Sequence, residues 1–271
     1  MTSIYAEVIG DPIDHSLSPV IHSFWLEALG IDATYGRRRV TRAELPTYLA
    51  EKRADPAWRG SNVTMPLKLD AVALAEATAD WAVAAGAANV LMMRDGRLVA
   101  ANTDVGAIAN LLSRLNQAKA RMGSVILLGN GGAARAALVA LKLVGVANVR
   151  IQARDMAEAR KLAVEFGLEV EPAPFTAPIV SDGLINATPL GMPGRDCLNC
   201  DLHHMPDQGW VFDMVTGPGE TLLIEAATER GLKTVNGLEM LVEQAATSFK
   251  LFFEADAPRD RDAILWQKLR P

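Results

Sequence analysis

Apolar side chains along this chain come in short runs rich in β-branched residues, and between those runs they recur at helical spacing. Residues 4–9 precede a helix pattern over 19–29, residues 34–40 precede one over 42–52, and residues 60–64 precede one over 67–76. This rhythm predicts βαβ units. Residues 89–93 and 98–101 flank Arg94-Asp95-Gly96-Arg97 and read instead as a hairpin, because Asp-Gly favours a primed turn. A helix pattern over 104–116 then crosses into a second unit, where 124–128, 149–152, 183–187 and 210–212 are strand candidates, most of them separated by helical patterns. Residues 237–253 form a strongly helical stretch, and 260–269 a further short one. The fold class is therefore two-domain α/β.

The loop Gly129-Asn130-Gly131-Gly132-Ala133-Ala134-Arg135 follows the apolar run Val125-Ile126-Leu127-Leu128 and opens a helix pattern. It fits G-x-G-x-x-A through Gly129, Gly131 and Ala134, with the strand before and the helix after that a dinucleotide-binding Rossmann unit requires. Glycines permit the tight turn and the approach of backbone amides to a pyrophosphate, which the helix N-terminus stabilises. There is no G-K-[ST], so a phosphate-transferring P-loop is excluded. Because more than 120 residues precede this loop, the N-terminal part is expected to supply the substrate chemistry. After the next strand comes Ala153-Arg154-Asp155. An arginine there suits the 2′-phosphate of NADP and an acid suits the 2′-hydroxyl of NAD, so the two neighbours point opposite ways.

Composition narrows the partners. With 271 residues and a net charge of -5, the chain has room for two cores and lacks the basic surface that nucleic acid or an anionic membrane demands. The first ten residues lack the regions of a signal peptide, and the most hydrophobic tract, 81–93, is too short to span a bilayer; the expected location is cytoplasmic. Two cysteines, Cys197 and Cys200, give no secreted disulfide framework. With His203 and His204 they have the ligand types of a zinc site, but the adjacent histidines and the missing second half favour an incidental loop, so no metal is expected.

Three N-terminal segments place polar side chains where strands end. Ser16 and Ser18 alternate in an extended stretch before Pro19, so both hydroxyls can face one carboxylate, although spacing alone favours Ser18 as the cap of the helix that Pro19 begins. Asn62-Val63-Thr64-Met65-Pro66-Leu67-Lys68 ends a strand and puts Lys68 at a helix start, facing the dipole's unfavourable end, where an anionic partner or a functional role suits it better than decoration. Asn102-Thr103-Asp104 starts the crossing helix, where Thr103 or Asp104 could cap. If Lys68 and Asp104 converge, the amine is oriented for proton exchange with a substrate oxygen during hydride transfer.

These segments, with Ala88-Asn89, the glycine loop, Asn186-Ala187-Thr188-Pro189-Leu190-Gly191-Met192 and the run from Asn236 to Gln244, resemble the shikimate dehydrogenase family along the whole chain. The resemblance implies reversible NADPH-dependent reduction of 3-dehydroshikimate to shikimate, a step of aromatic amino-acid biosynthesis. It implies a substrate domain of residues 1–103 plus 238–271, to which the C-terminal helices return, and a Rossmann-type NAD(P)-binding domain of residues 104–237. It makes Lys68 and Asp104 the catalytic pair, has Ser16 and Ser18 hold the substrate carboxylate, and assigns Asn62, Thr64, Asn89 and Gln244 to the ring hydroxyls. On the cofactor side it implicates Gly129, Asn130, Gly131, Gly132, Ala133, Arg154, Asp155, Asn186, Thr188 and Gly237. NADP is the family's cofactor, and Asp155 leaves NAD open.

The chain departs from the family at several positions. Thr216 stands where a tyrosine usually helps hold the carboxylate, Val105 replaces a glycine, Leu91 shifts a Val-Asn-Thr pattern, and Asp155 replaces a threonine. Two rival functions follow from the same residues: an NAD-linked quinate or quinate/shikimate dehydrogenase, and an inert nucleotide-binding protein that kept the fold. The expected partner is a small hydroxy acid, with no nucleic acid and no membrane, bound by a monomer or homodimer.

Overall fold

The computed structural model describes residues 3–217 and 219–269. Residues 1–2 and 270–271 of the expected substrate domain, and Pro218 of the expected dinucleotide domain, lie outside the described residues. The chain divides into two units: one holds the described residues up to Thr103 and those from Val242 on, the other holds Asp104–Leu241.

The first unit contains, in order, β1 (Ile4–Gly10), α1 (Ser18–Leu29), β2 (Ala33–Arg39), α2 (Leu45–Arg53), β3 (Trp58–Val63), α3 (Lys68–Leu74), β4 (Ala77–Thr78), α4 (Asp80–Ala85), β5 (Val90–Arg94) and β6 (Arg97–Ala101). The second holds α5 (Asp104–Gln117), β7 (Ser124–Leu128), α6 (Gly132–Leu143), β8 (Asn148–Ala153), α7 (Met156–Glu165), β9 (Ala173–Pro174), β10 (Gly183–Asn186), β11 (Trp210–Asp213), α8 (Leu222–Glu229) and β12 (Lys233–Val235). Helix α9 (Gly237–Phe253) begins in the second unit and continues into the first, which ends with α10 (Asp262–Leu269).

The first sheet has the order β2-β1-β3-β5-β6-β4. β1 runs parallel to β2 and to β3, whereas β5 is antiparallel to β3 and β6 antiparallel to β5. The chain's path across the sheet thus reverses between β1 and β3, the position at which open α/β sheets bind ligands. The hairpin brings the start of β5 and the end of β6 to that same edge, since Asn62 pairs with Val90 and Val90 with Ala101. Its turn has Asp95 at φ 50 and Gly96 at φ 73, both left-handed as the primed turn requires. One face is covered by α2 and α3, through Leu45, Tyr48, Leu49, Leu67 and Ala71. In α9, the Phe252 ring sits where a Cβ on Gly60 would come within 2.4 Å of it, and Phe249 meets Trp25 of α1 edge-on at 5.5 Å. Helix α9 therefore packs against the first sheet, and α10 belongs to the same unit.

Two local expectations change. Helix α2 starts at Leu45 instead of residue 42: Leu45 N–H donates to Thr41 O at 3.1 Å and the Glu44 carboxylate accepts from the N–H and the hydroxyl of Thr41 at 2.8 Å each, as in a capping box, but Pro46 has no N–H for Arg42 O and leaves a gap in the ladder of that first turn. The short β4 and α4 had no counterpart in the sequence pattern; two and six residues are too few to show a period.

The second sheet, β12-β11-β10-β7-β8-β9, is parallel throughout. That is the doubly wound dinucleotide-binding order, with its reversal between β7 and β10. A parallel sheet is covered on both faces, which explains the unbroken apolar run of β7. Ala134, Ala136, Ala137 and Ala140 of α6 are buried, small residues that let the helix seat closely.

Candidate functional site

In the first unit the two loops leaving β1 and β3 run side by side. Asp11 N–H donates to Met65 O at 3.0 Å and Thr64 N–H to Ile9 O at 2.9 Å. A Cβ on Gly10 would lie 2.4 Å from Thr64 Cγ2 and 2.7 Å from Met65 O, so only glycine allows this approach. The segment carrying Ser16 and Ser18 is thereby set beside the one carrying Thr64 and Lys68. Ser18 is buried as the first residue of α1, Leu17 holds the cap position, and no side chain makes the cap bond. The capping alternative for Ser18 is overturned. Ser16 Oγ accepts from Ser18 N–H at 3.4 Å. Lys68 opens α3 and is half-buried.

At the same edge the carboxamides and hydroxyls form one network. Asn62 lies at the end of β3, Asn89 immediately before β5, Thr103 just after β6, and Gln244 on α9; all four are under 8% exposed. Tyr35 O–H donates to Asn62 Oδ1 at 2.6 Å, and Asn62 Nδ2 donates to Ser248 Oγ at 2.8 Å and to Asn89 O at 3.3 Å. Thr103 N–H donates to Asn89 Oδ1 at 2.7 Å, while Asn89 Nδ2 donates to Thr103 Oγ1 at 2.9 Å and to Gln244 Oε1 at 3.3 Å. Buried polar groups satisfied in this way are rigid. Thr103 therefore works as a network node through both its backbone and its hydroxyl. Tyr35 and Ser248 went unnoticed in the sequence. The available signal was Ser248 itself, a serine one turn after Gln244 on the buried face of α9 that also carries Ala245, Phe249 and Phe252.

Behind Tyr35 sits His22. The two rings stack at 3.9 Å with 5° between planes, Trp25, Phe249 and Phe252 surround the imidazole, and neither ring nitrogen has a hydrogen-bond partner among the described residues. Burial pushes the His22 pKa down to about 3, so it is a neutral aromatic filler. A second buried group, the Lys52–Glu7 ion pair at 2.5 Å, is braced by Tyr48 O–H on Glu7 at 2.9 Å. Lys52 also donates to Tyr5 Oη at 2.8 Å.

In the second unit the glycine loop leaves β7 at the sheet reversal and abuts the turn after β10. Gly129 has φ 103, and a Cβ there would lie 3.1 Å from both Ala187 O and Thr188 Cγ2. A Cβ on Gly131 would meet nothing within 4 Å, so the backbone is bare at the start of the 12-residue α6. Such a cradle fits a dinucleotide's pyrophosphate. The opposing turn is locked from beneath: Asn186 Oδ1 accepts from Thr188 N–H and O–H, and Asn186 Nδ2 donates to Asp213 Oδ1 at 2.9 Å. Asp213, 1% exposed, also accepts from Val215 N–H at 3.1 Å and Thr221 O–H at 2.5 Å. Desolvation nonetheless raises its carboxyl above the usual range. Gly237 opens α9 where a Cβ would strike Val215 O at 2.2 Å, which brings the loops after β11 and β12 together. Thr216, next along, is half-buried.

Arg154 and Asp155 take different parts. Asp155 is the N-cap of α7, accepting from Ala157 and Glu158 N–H at 3.0 Å each. Arg154 is exposed, with no ion pair or hydrogen bond to another described residue. Asp104 opens α5 and is 3% exposed. It belongs to the second unit and Lys68 to the first. Among the described residues, no group of three or more His, Cys, Asp or Glu is placed to hold a metal, and no helix is long and apolar enough to cross a membrane. Burial pushes the Cys200 thiol up to about 11.

Comparison with known proteins places these features in one lineage. Residues 8–91 match the shikimate dehydrogenase substrate binding domain, and residues 237–262 match the shikimate 5'-dehydrogenase C-terminal domain. A shikimate dehydrogenase (NADP⁺) from Sphingopyxis alaskensis is 44% identical over 262 residues, 96% of this chain and 94% of that one. The crystal structure of shikimate 5-dehydrogenase from Thermus thermophilus, in complex with NADP(H) and shikimate, has a TM-score of 0.85 at 32% identity and covers 98% of this chain and 99% of its own. A quinate dehydrogenase from Corynebacterium glutamicum, in complex with NAD, has a TM-score of 0.84 at 28% identity, with 98% and 99% covered.

Proposed function

The chain belongs to the shikimate dehydrogenase family, and on that premise we propose that it reduces 3-dehydroshikimate reversibly to shikimate with NADPH. The observation that carries this reading is the gathering of Ser16, Ser18, Thr64, Lys68, Asn89 and Gln244 on elements that end at one edge of the first sheet. Two serine hydroxyls suit a carboxylate, amides and a threonine suit ring hydroxyls, and a cation suits the oxygen that gains charge.

The Gly129–Ala133 loop would hold NADP, with Asn130 and Gly132 lending backbone amides, and the cofactor bound there would supply or accept the hydride. Lys68 donates a proton to the substrate oxygen as that oxygen becomes an alkoxide, and takes it back in the reverse direction. Asp104 orients that exchange. Asn186 and Thr188 shape the turn facing the loop, and Gly237 gives the backbone bare access nearby. Arg154, exposed and unengaged, is the group for the 2′-phosphate, while the cap bonds of Asp155 turn its charge toward the N-terminus of α7. These two placements favour NADP over NAD.

The domain reading follows the two units, with substrate held by the first and cofactor by the second. Cytoplasmic location and a monomer or homodimer complete the proposal, the former because NADPH is an intracellular reductant. Replacing Lys68 by alanine tests the mechanism: turnover should fall about 10²–10⁴-fold, as for other proton-transfer groups, with a far smaller change in KM for shikimate. Near-wild-type turnover would remove Lys68 from the chemistry.

A further inference from the structure

The amide orientations of Asn62, Asn89 and Gln244 follow one from another. A peptide N–H can only donate, so the 2.7 Å bond from Thr103 N–H fixes Oδ1 on that side of Asn89 and sends Nδ2 toward Gln244. Two amide NH₂ groups would repel, so Gln244 must present Oε1 there, and the Thr103 hydroxyl also donates to that oxygen at 3.4 Å. Both lone pairs of Gln244 Oε1 are thereby engaged. A carbonyl can only accept, so Asn89 O likewise fixes Nδ2 on that side of Asn62, whose Oδ1 then takes the Tyr35 hydroxyl.

The two ordered amides are joined at one atom. Ser248 Oγ accepts from Asn62 Nδ2 at 2.8 Å, donates to Gln244 O at 3.0 Å and lies 3.2 Å from Thr103 Oγ1. Ser248 is fully buried, one turn beyond Gln244 on the same helix. Asn62 meanwhile has both N–H hydrogens committed, which makes it a strut between strand and helix.

We propose that Ser248 is a positioning residue that ties the Gln244 turn of α9 to Asn62 of β3, and that Gln244, its Oε1 held by Asn89 and Thr103, meets the ligand as a hydrogen-bond donor. The site then selects a ligand oxygen that accepts at this position. This inference rests on the assignment of Asn89 and Gln244 to the substrate. Ser248 touches neither substrate nor cofactor in this scheme and acts through Gln244.

The test is a cycle of Ser248→Ala, Gln244→Ala and the double variant, with KM for shikimate, KM for NADP and kcat measured for each. Ser248→Ala should raise KM for shikimate about tenfold, the scale of one misplaced hydrogen bond. KM for NADP and kcat should stay within about twofold, a split that general loosening would not produce. In the Gln244→Ala background the serine replacement should add nothing, since its route of action is already gone. A further tenfold rise in the double variant, or an equal rise in KM for NADP, overturns the inference. If Ser248→Ala does not accumulate as folded protein, Tyr35→Phe, which frees the other end of Asn62, should show the same selective rise in KM, and an unchanged KM overturns the inference. An unchanged KM in Gln244→Ala alone overturns instead the substrate assignment beneath it.

Discussion

Replacing His22 by phenylalanine probes the packing beneath the polar network of the first sheet, because the imidazole carries the stacked Tyr35 ring and Tyr35 in turn holds Asn62. The folded protein keeps His22 neutral down to about pH 3, against 6.5 for an unperturbed histidine. Above pH 6.5 neither state binds the proton, and the group has no effect on stability. Below it the unfolded chain is protonated while the folded one is not, so stability falls by about 1.36 kcal/mol per pH unit until the folded pKa is reached. At pH 5 the loss is about 1.36 × 1.5, or ~2 kcal/mol, from this one residue. Carboxylates also titrate in this window, so the informative quantity is the difference between wild type and His22→Phe. Phenylalanine preserves the stack but has no proton to exclude, and any overpacking it causes, about 1–3 kcal/mol, does not depend on pH. Urea unfolding from pH 7.5 to 4.5, followed by tryptophan fluorescence, should give the variant a shallower decline by about one proton. Equal slopes, or an NMR titration that places His22 above about pH 5 in the folded protein, would refute the reasoning.

Substitutions at four other positions separate the remaining parts. Gly129→Ala, forced into φ 103 with its methyl 3.1 Å from Ala187 O, should raise KM for NADP about 10–100-fold and leave KM for shikimate nearly unchanged in steady-state assays. Lys52→Met strands the Glu7 carboxylate in a buried site and should cost about 3–5 kcal/mol in denaturant unfolding, whereas Glu7→Gln combined with Lys52→Met should recover much of that loss. Asp155→Ala should lower stability by about 1 kcal/mol through the lost cap and keep the preference for NADP; a switch of cofactor would show that the acid faces the ribose.

Much of the architecture was legible because it is written locally. The alternation of strand and helix patterns, the Asp95-Gly96 turn and the glycine loop between β7 and α6 each depend on neighbours within a few residues. What could not be read is tertiary. β12 and β9, three and two residues long, exist because the sheet offers them an edge. Ser18 looked like a cap, yet the helix begins with it and its side chain makes no cap bond. The polar network is the strongest case: Tyr35, Asn62 and Ser248 meet across 27 and 186 residues of chain, so no spacing rule could pair them. Sequence offered the candidate ligand residues; packing revealed the ones that hold them.

The central claim, that this constellation reduces a cyclic keto acid with NADPH, is tested most directly by four initial rates. Shikimate and quinate are each offered with NADP and with NAD at matched concentrations. The account predicts that shikimate with NADP has the highest kcat/KM by at least about tenfold, the worth of one well-placed polar contact. A highest value for quinate with NAD, or no turnover in any of the four, would contradict it.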